Sequence, residues 1–364
     1  MKEIRQKKDI TGIWASLLAI LSGLLIGFIV LAICNPSQAL NGIKTLIFGG
    51  FTGGIKSIGN VLYYATPLLM TGLGIGFAFQ SSLFNIGGPG QFIFGAFCCL
   101  FVAIKLPIPG ALGWIIPLIA AMAGGALWAL LPGILRAYKN VNIVISTIMM
   151  NYIGMYLVNA LVKTTIYDPL KGQSAIVPSN HQLPSWGLDK IFTSRSMVNC
   201  GILIAIMMAI VIYILLNKTT FGYELKACGK NRDASRYAGI NEKKNIVLSM
   251  VISGALVGLG GGLMYLASAG KYIRVVDVMA SEGFDGIAVA LLAMNNPIGI
   301  IFSSIFMAYL DVAGFYMQTY RFSPEIVDII VSVIIYFSAF SLLVKEYISK
   351  IELKKKSNLS KEDK

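Results

Sequence analysis

Long, nearly uncharged apolar segments constrain this chain more than any other feature of its sequence. Segment 12–34 is one of them, and segment 200–216 with its upstream residues is another. About 20 apolar residues are needed for a helix to cross a bilayer core. Only 13% of the residues are charged, about half the fraction in soluble domains, which excludes an ordinary soluble enzyme. The sequence predicts an all-α fold, a polytopic membrane helical bundle, with residues 1–364 forming a single transmembrane domain.

Counting each uninterrupted apolar stretch as one helix gives about ten membrane spans. They are predicted at 12–34, 60–80, 89–105, 110–131, 142–162, 199–216, 245–269, 283–295, 297–317 and 326–344. The first stretch is long and lacks a small-residue cleavage site, so it is predicted to stay as an anchor rather than to be removed as a signal peptide. This topology places tails 1–11 and 345–364 in the cytoplasm.

The net charge of +13 would suggest a nucleic-acid partner for a soluble protein, but here the basic residues lie between the apolar segments. The segments predicted to be cytoplasmic hold 20 of the 30 Lys and Arg residues, with four in 1–11, two at 136–139, seven in 217–244 and seven in 345–364. An excess of Lys and Arg on the cytoplasmic side is the usual pattern of membrane proteins. The expected partner is therefore the lipid bilayer, and no nucleic acid.

Two hydrophilic segments separate the predicted spans. Segment 163–198 carries three prolines and Trp186, and it falls outside the cell, where it forms either a surface for a partner or a solvated connection. Segment 217–244 is rich in basic residues and falls inside, where it is predicted to meet a cytoplasmic partner. His181, the one histidine of the chain, is predicted to be a solvated surface residue because it lies in the polar outer segment.

The cysteines show no pattern of a disulfide framework or a metal site. They are Cys34, Cys98, Cys99, Cys200 and Cys228. The first four lie in or at the ends of apolar segments, without the spacing of metal ligands, so neither a disulfide nor a bound metal is expected.

The two halves of the chain resemble one another faintly. Segment 84–92 follows the second predicted span and segment 281–286 follows the seventh, and each combines glycines with polar residues before a short apolar run. Because these two spans run in opposite directions, the repeat would be inverted. Paired interruptions of this kind favour a transport pathway, since unwound backbone at membrane depth is tolerated only where it is buried or lines a wet cavity.

Glycines recur every four residues in two spans, which places them on one helix face. They are Gly254, Gly258 and Gly262 in the seventh span, and Gly72 and Gly76 in the second. Small residues at this spacing let helix backbones approach closely. These glycines are therefore predicted to serve helix packing rather than contact with a solute.

Polar side chains inside apolar spans are costly unless they are paired or line a cavity. The candidates for a substrate pathway are Asn85 and Gln91 at the first interruption, Asn151 in the fifth span, and Glu282 and Asp285 at the second interruption. The amides, with hydroxyls such as those of Ser146 and Thr147, would suit a polar, uncharged solute. Hydrogen bonds between helices explain each residue equally well when it is taken by itself.

The sequence offers no energy source of its own. The spans between 12 and 269 contain almost none of the carboxylates, histidines or lysines expected in a proton-coupled pump, although sodium sites built from carbonyls would escape this test. Segment 49–57 resembles a phosphate-binding loop only loosely, because Ile55 separates the glycine from the lysine and no strand precedes it. The chain is predicted to be a non-catalytic transport subunit without a cofactor, whose partner hydrolyses ATP.

Several separate strings carry a family resemblance. They are ATPL at 65–68, LFNIG at 83–87 with the following Gly90 and Gln91, VNIVISTIMMNY at 141–152, TFGYELKACGKN at 220–231 and ASRYAGIN at 234–241. In this order they resemble bacterial ABC-importer permeases of the nucleoside and simple-sugar type, which are similar to ribose and branched-chain amino acid permeases. The resemblance covers roughly residues 60–340.

The resemblance implies a set of partners. They are an ATP-hydrolysing nucleotide-binding subunit, a second permease subunit that makes a heterodimer, and an extracytoplasmic substrate-binding lipoprotein. It also implies that a short cytoplasmic helix docks into a groove of the ATPase. The residues assigned to this coupling loop are Asn231, Arg232, Asp233, Arg236, Tyr237 and Gly239. Their polar and aromatic composition fits an interface, and a solvated connection is the alternative.

The implied function is a translocation pathway for nucleosides that works by alternating access. The alternatives are a simple-sugar ABC permease and a secondary transporter that works without ATP. One position departs from the family pattern, because relatives often carry an acidic residue where this chain has Pro89. Any role of that acid is lost here or filled by another residue, while the proline reinforces the interruption of the helix.

Overall fold

The computed structural model describes residues 20–110, 112–193, 196–267, 270–323, 325–334 and 336–337. Its helices are α1 (Ile20–Cys34), α2 (Ala39–Thr52), α3 (Ile55–Gln80), α4 (Gly88–Lys105), α5 (Leu112–Lys139), α6 (Ile143–Thr165), α7 (Leu188–Phe192), α8 (Gly201–Lys218), α9 (Thr220–Lys230), α10 (Arg232–Tyr237), α11 (Glu242–Tyr265), α12 (Ser281–Leu292), α13 (Pro297–Met317) and α14 (325–334). Strands β1 (Tyr167–Asp168) and β2 (Gln173–Ser174) pair antiparallel, and 3₁₀ turns cover Ser179–His181 and Gln318–Tyr320.

Seven of the described helices are long and apolar enough to cross a membrane. They are α3, α4, α5, α6, α8, α11 and α13. This confirms the predicted helical membrane bundle, while the described residues do not reach the predicted count of about ten spans. The stretch predicted as a span at 283–295 corresponds to α12, whose 12 residues rise by about 18 Å against a bilayer core of about 30 Å.

Parts of four predicted spans lie outside the described residues. These parts are 12–19 of the first span, 111 of the fourth, 268–269 of the seventh, and 335 with 338–344 of the last. Tails 1–11 and 345–364 lie outside them as well.

Two helices extend beyond the predicted boundaries. Helix α2 occupies residues that were predicted to connect the first two spans. Helix α5 was predicted to end at 131 but continues through Pro132 to Lys139. Proline is tolerated inside membrane helices because neighbouring helices and local adjustments satisfy the freed backbone groups.

The chain divides into two compact units, one of Gly53–Tyr309 and one of Met1–Thr52 with Leu310–Lys364. In the larger unit, α11 is the central helix and packs against α3, α4 and α5. Helix α12 packs against α3 and α4, and helix α6 packs against α4 and α5. The interruption between α3 and α4 is therefore surrounded by helices on several sides.

The contact between α11 and α5 requires glycine. A Cβ at Gly254 would overlap the carbonyl oxygen of Gly125, and a Cβ at Gly258 would overlap that of Ala121. A Cβ at Gly262 would lie 2.7 Å from the Cβ of Ala121. A backbone oxygen cannot move away by changing rotamer, so the two helices can approach this closely only where side chains are absent.

The glycines of α3 face another pair of helices. A Cβ at Gly72 would lie 2.7 Å from Cγ1 of Val289 in α12, and one at Gly76 would lie 2.9 Å from Cδ1 of Ile300 in α13. These neighbours are ends of side chains, which can shift more easily than a backbone. The packing of α3 is therefore tight but less strict than the crossing of α11 over α5.

The smaller unit has close contacts of its own. A Cβ at Gly27 of α1 would lie 2.8 Å from Cγ1 of Ile330 in α14, and one at Gly49 of α2 would lie 2.9 Å from the Cα of Ala313 in α13. Helices α1, α2 and α14 therefore pack together with the end of α13.

The prediction that His181 is a solvated surface residue is wrong. Its side chain is only 3% exposed, and its ring nitrogens lie 2.6 Å from the carbonyl oxygen of Ala103 and 2.9 Å from that of Ile108. Buried polar groups are tolerated when they have such partners. The histidine thus ties segment 163–198 to the end of α4, and no local sequence pattern reveals the two carbonyls.

Segment 217–244, which was predicted to be a cytoplasmic connection with one short helix, is largely helical. It contains all of α9 and α10, together with the end of α8 and the start of α11. Each helix that begins in the segment has a side-chain N-cap, because Thr219, Asn231 and Asn241 accept hydrogen bonds from backbone N–H groups three residues later. Such caps satisfy the free N–H groups of a first turn. The charged composition indicated exposure correctly but did not mean an absence of helix.

Candidate translocation and coupling sites

Segment 81–87 joins α3 to α4, and Asn85 is completely buried near its centre. The first interruption was predicted at 84–92, but its residues from 88 onward form the start of α4. The Asn85 amide donates to Oε1 of Gln91 (3.1 Å) and to Oγ of Ser253 (2.9 Å). Its Oδ1 accepts from the backbone N–H of Gly87 (2.9 Å) and from the Gln91 amide (3.2 Å). Asn85 therefore fixes its own loop, the first turn of α4 and the middle of α11 at one point.

Asn151 of α6 approaches the same interruption from the other side and is 2% exposed. Its Oδ1 accepts from the backbone N–H of Gly90, and its amide donates to the carbonyl oxygen of Ile86, both at 2.9 Å. The N–H groups in the first turn of a helix have no partner within the helix. Asn151 supplies one for α4 and also satisfies a carbonyl of the unwound segment.

The structure thus brings three of the five predicted pathway residues into one buried network. The polar groups of Asn85, Gln91 and Asn151 are engaged with the protein, which is what unwound backbone inside a membrane requires. This arrangement favours a positioning role, and direct contact with the solute stays a prediction. Ser253, which also belongs to this network, was not predicted from the sequence, because a single hydroxyl within a glycine-rich helix is a weak signal.

We expect Asn85→Leu to reduce uptake and thermal stability while the protein still inserts into the membrane. The change leaves the Gly87 N–H without its acceptor, and an unsatisfied buried polar group costs about 1–3 kcal/mol. Asn151→Leu is expected to act in the same direction. Uptake and the thermal stability of the detergent-purified protein measure both effects. Asn41→Leu, which changes an exposed amide on α2, is the control, and normal uptake in both test variants would contradict the prediction.

The second predicted interruption, 281–286, is helical, and the non-helical residues precede it in the chain. Residues 281–286 form the first turns of α12, and the described non-helical residues precede them, at 266–267 and 270–280. A Cβ at Gly283 would overlap the backbone nitrogen of Pro89, so the starts of α12 and α4 abut. Pro89 lies in the first turn of α4, where the missing N–H removes no hydrogen bond of the helix.

A cleft with a volume of about 490 Å³ lies beside the start of α12. The residues important here are Tyr64, Ile93, Met264, Tyr265, Tyr272 and Glu282. They come from α3, α4, α11, the segment before α12, and α12 itself. Glu282 therefore lines a cavity, whereas Asp285 is not among the residues that line it. A role of either residue in a solute pathway stays a prediction.

Two cations lie beside the tyrosines of this cleft. Nζ of Lys271 is 5.9 Å from the ring centre of Tyr64. Arg274 donates to the hydroxyl of Tyr272 at 3.3 Å. This hydrogen bond, together with the guanidinium charge, lowers the pKa of Tyr272 below its ordinary value. The cleft is thus polar and aromatic at once.

Segment 163–198, which was predicted to lie outside the cell, holds one wall of the cleft in place. The backbone N–H of Ser174 donates to the carbonyl oxygen of Ile273 (2.9 Å), and the Ser174 hydroxyl accepts from the N–H of Ile273 (3.0 Å). The amide of Asn159 in α6 donates to the carbonyl oxygen of Val276 at 3.0 Å. A displacement of segment 163–198 would therefore act directly on the cleft wall.

The predicted coupling residues lie on and beside α10. Asn231 caps the helix by accepting from the N–H of Ala234 at 3.0 Å. Ser235 is buried, and its carbonyl oxygen accepts from the N–H of Ile240 at 3.0 Å. Gly239 has φ of 80°, a left-handed conformation that glycine adopts without strain and that commonly ends a helix.

The remaining coupling residues point away from this anchored side. Asp233 and Arg236 are exposed, Arg232 is partly exposed, and Tyr237 is 95% exposed. Tyrosine and arginine are enriched where proteins contact one another. One face of α10 is therefore held by the protein while the other is available to a partner.

Helix α9 connects α10 to the interruption that contains Asn85. The hydroxyl of Ser82 donates to the carbonyl oxygen of Gly229 at 2.7 Å, and a Cβ at Gly229 would overlap the carbonyl oxygen of Gln80. The hydroxyls of Ser81 and Ser249 lie 2.6 Å apart and share a hydrogen bond. A displacement of α10 would thus act on the unwound segment through few, direct contacts.

Residues 57–339 match the family described as the branched-chain amino acid transport system permease component. The chain belongs to this permease family. The match includes the starts of α4 and α12, the cleft and α10. It confirms the family resemblance that was drawn from the separate sequence strings. The described helices and the family together identify this permease as a multi-pass membrane protein.

Three relatives illustrate the breadth of the family. The permease is 35% identical over 348 residues to the guanosine ABC transporter permease protein NupP of Bacillus subtilis, covering 95% of this chain and 99% of NupP. It is 34% identical to the nucleoside ABC transporter permease protein NupB of Lactococcus lactis, covering 95% of each chain. It is 28% identical to the glucose ABC transporter permease protein TsgB13 of Haloferax volcanii, covering 79% of this chain and 77% of TsgB13. No solved structure matches.

The tyrosines of the cleft are the part of the permease that sequence patterns missed. Tyr64 and Tyr265 lie in predicted spans, and Tyr272 lies in a polar connection. Aromatic residues are common near the ends of membrane helices, so no single tyrosine stood out. Only their convergence around Glu282 marks a site.

Proposed function

We propose that this permease is the membrane-spanning subunit of an ABC importer for nucleosides. The observation that carries the proposal is the 35% identity to a guanosine permease protein over 95% of this chain and 99% of that relative. The aligned region therefore covers the interruption, the cleft and α10 together. A glucose permease protein is a more distant relative, which makes a simple sugar the second candidate solute.

The permease works by alternating access. A solute enters from the outer side at the cleft beside α12, while the network of Asn85 and Asn151 holds the interruption in its resting arrangement. ATP binding in the partner displaces α10, and the bond between Ser82 and Gly229 transmits this displacement to the interruption. The opening then shifts towards the cytoplasm, and the solute is released there.

The proposed assembly contains three partners. The exposed face of α10 binds the ATP-hydrolysing subunit, a second permease subunit completes a heterodimer, and the outer segment 163–198 receives a substrate-binding lipoprotein. The permease itself is non-catalytic. It lies in the bacterial cell membrane with both termini in the cytoplasm, an orientation that the distribution of Lys and Arg supports.

The test is purification of the tagged permease from its native membrane, followed by uptake measurements in liposomes. We expect an ATPase, a second permease and a lipoprotein to purify with it, and we expect ATP-dependent uptake of labelled guanosine and uridine. Unlabelled nucleosides should compete with this uptake, while ribose and glucose should not. Competition by the sugars alone would replace the proposed solute, and uptake by the lone permease without ATP would make it a secondary transporter.

A further inference from the structure

The cleft beside α12 has the size and composition of a small-molecule site. Its volume of about 490 Å³ falls within the range of about 300–1,000 Å³ that is usual for ligand pockets. Ile93 and Met264 supply apolar surface, and three tyrosines and Glu282 supply aromatic faces and polar groups. Such a combination suits a solute with one flat face and several hydrogen-bonding groups.

The tyrosines provide the flat surface. Tyr64, Tyr265 and Tyr272 line the cleft from three different segments of the chain. The ring of Tyr265 is backed by Phe92, with ring centres 6.5 Å apart, which limits its freedom. Stacking of bases on aromatic side chains depends little on the identity of the base, because every base has a π-face. The tyrosines could thus accept purines and pyrimidines alike.

Glu282 provides a hydrogen-bond acceptor that the protein leaves largely unused. Its one hydrogen bond among the described residues comes from the neighbouring Ser281 and is 3.5 Å long, at the limit of a real hydrogen bond. An ionised carboxylate has two oxygens that can each accept hydrogen bonds. Two adjacent hydroxyl groups, such as the 2′ and 3′ hydroxyls of ribose, match this acceptor.

A second polar group lies unused close to the cleft. The hydroxyl of Tyr63 is buried and has no hydrogen-bond partner in the part of the chain that the structure describes. Its electrostatic neighbours are Tyr64, Tyr265 and Glu282, which all line the cleft. Buried polar groups without partners are rare in folded proteins.

Resting on the proposed function, we propose that this cleft holds the nucleoside during transfer, with its base stacked against the tyrosines and its ribose hydroxyls bonded to Glu282. The site thereby selects ribonucleosides over 2′-deoxyribonucleosides within the permease itself. Selection at this point adds to whatever selection the binding lipoprotein makes.

The experiment compares uptake of uridine and 2′-deoxyuridine by the complete transporter in liposomes. For Glu282→Gln we expect the KM for uridine to rise by about tenfold, the scale of one hydrogen bond to a charged group. The KM for 2′-deoxyuridine should change much less, so the preference between the two solutes narrows. For Tyr265→Leu we expect both solutes to lose affinity by about tenfold, while Tyr265→Phe retains the ring and stays close to the unmodified protein.

The outcomes separate this inference from the proposed function. Tyr223→Leu changes an exposed tyrosine on α9, and this control should leave both KM values unchanged. The proposed binding site would be refuted if Glu282→Gln raised the KM for both solutes equally. It would also be refuted if Tyr265→Leu and Tyr265→Phe had the same KM values. Either result would leave the proposed nucleoside transport intact. If the unmodified transporter took up neither uridine nor guanosine with ATP, the proposed function itself would fail.

Discussion

Replacing Arg236 and Tyr237 with alanine will lower the affinity of the permease for its ATPase subunit on the order of 100-fold and abolish ATP-dependent uptake. Tyr237 is 95% exposed and Arg236 is exposed beside it, so the change removes contact surface without opening the core. Truncation of a central tyrosine or arginine commonly costs about 2 kcal/mol or more at an interface. Titration of the ATPase subunit against the purified permease measures the loss.

A matched control separates docking from folding in this experiment. Tyr223→Ala removes another exposed tyrosine, 73% exposed on α9, and should leave docking intact. The double variant should also insert into the membrane and purify in normal amount, because Asn231 and Ser235, whose hydrogen bonds hold α10 in place, are unchanged. Normal affinity for the ATPase in the double variant would refute the assignment of α10 as the docking helix.

Gly258→Leu will destabilise the permease more than the loss of either buried amide, Asn85 or Asn151. A side chain at this position meets the backbone of Ala121 and Gly125 in α5, and neither can move without separating the two helices. Overpacking of a well-packed core costs about 1–3 kcal/mol and occasionally more, and the rigid neighbours place this change at the upper end. We expect the midpoint of thermal unfolding in detergent to fall by about 5 °C or more.

The control for this change is Ala255→Leu, which enlarges a partly exposed position on the same helix. It should lower the unfolding temperature far less, because the added atoms have room towards the surface. Unchanged stability in Gly258→Leu would mean that α5 and α11 do not cross as closely as the structure has them.

Several features of the fold could be predicted from the sequence because they depend on neighbours in the chain. Apolar stretches such as 142–162 and 199–216 marked α6 and α8 to within a few residues. The string at 231–239 contains α10 at Arg232–Tyr237, with a cap residue before it and a glycine after it. The family could be recognised for the same reason, since its motifs are short and contiguous.

Other features were set by contacts between residues far apart in the sequence. Asn85 and Ser253, which are 168 residues apart, share a hydrogen bond, and the starts of α4 and α12 meet at Pro89 and Gly283. The wrong prediction for His181 has the same cause, because its partners Ala103 and Ile108 lie more than 70 positions away in the sequence. A polar residue looks alike in a sequence whether solvent or a distant carbonyl satisfies it.

The sequence by itself determined that this protein crosses a membrane by helices, where most of those helices lie, and which family it belongs to. These follow from hydrophobicity and local motifs, since a bilayer imposes the same length and composition on every span. The tertiary structure alone decided that the buried amides hold an interruption while Glu282 and three tyrosines line a cleft. The physical reason is that tertiary packing decides which partners lie within hydrogen-bond distance of a polar side chain. Those partners determine whether the side chain positions the backbone or is available to bind a solute.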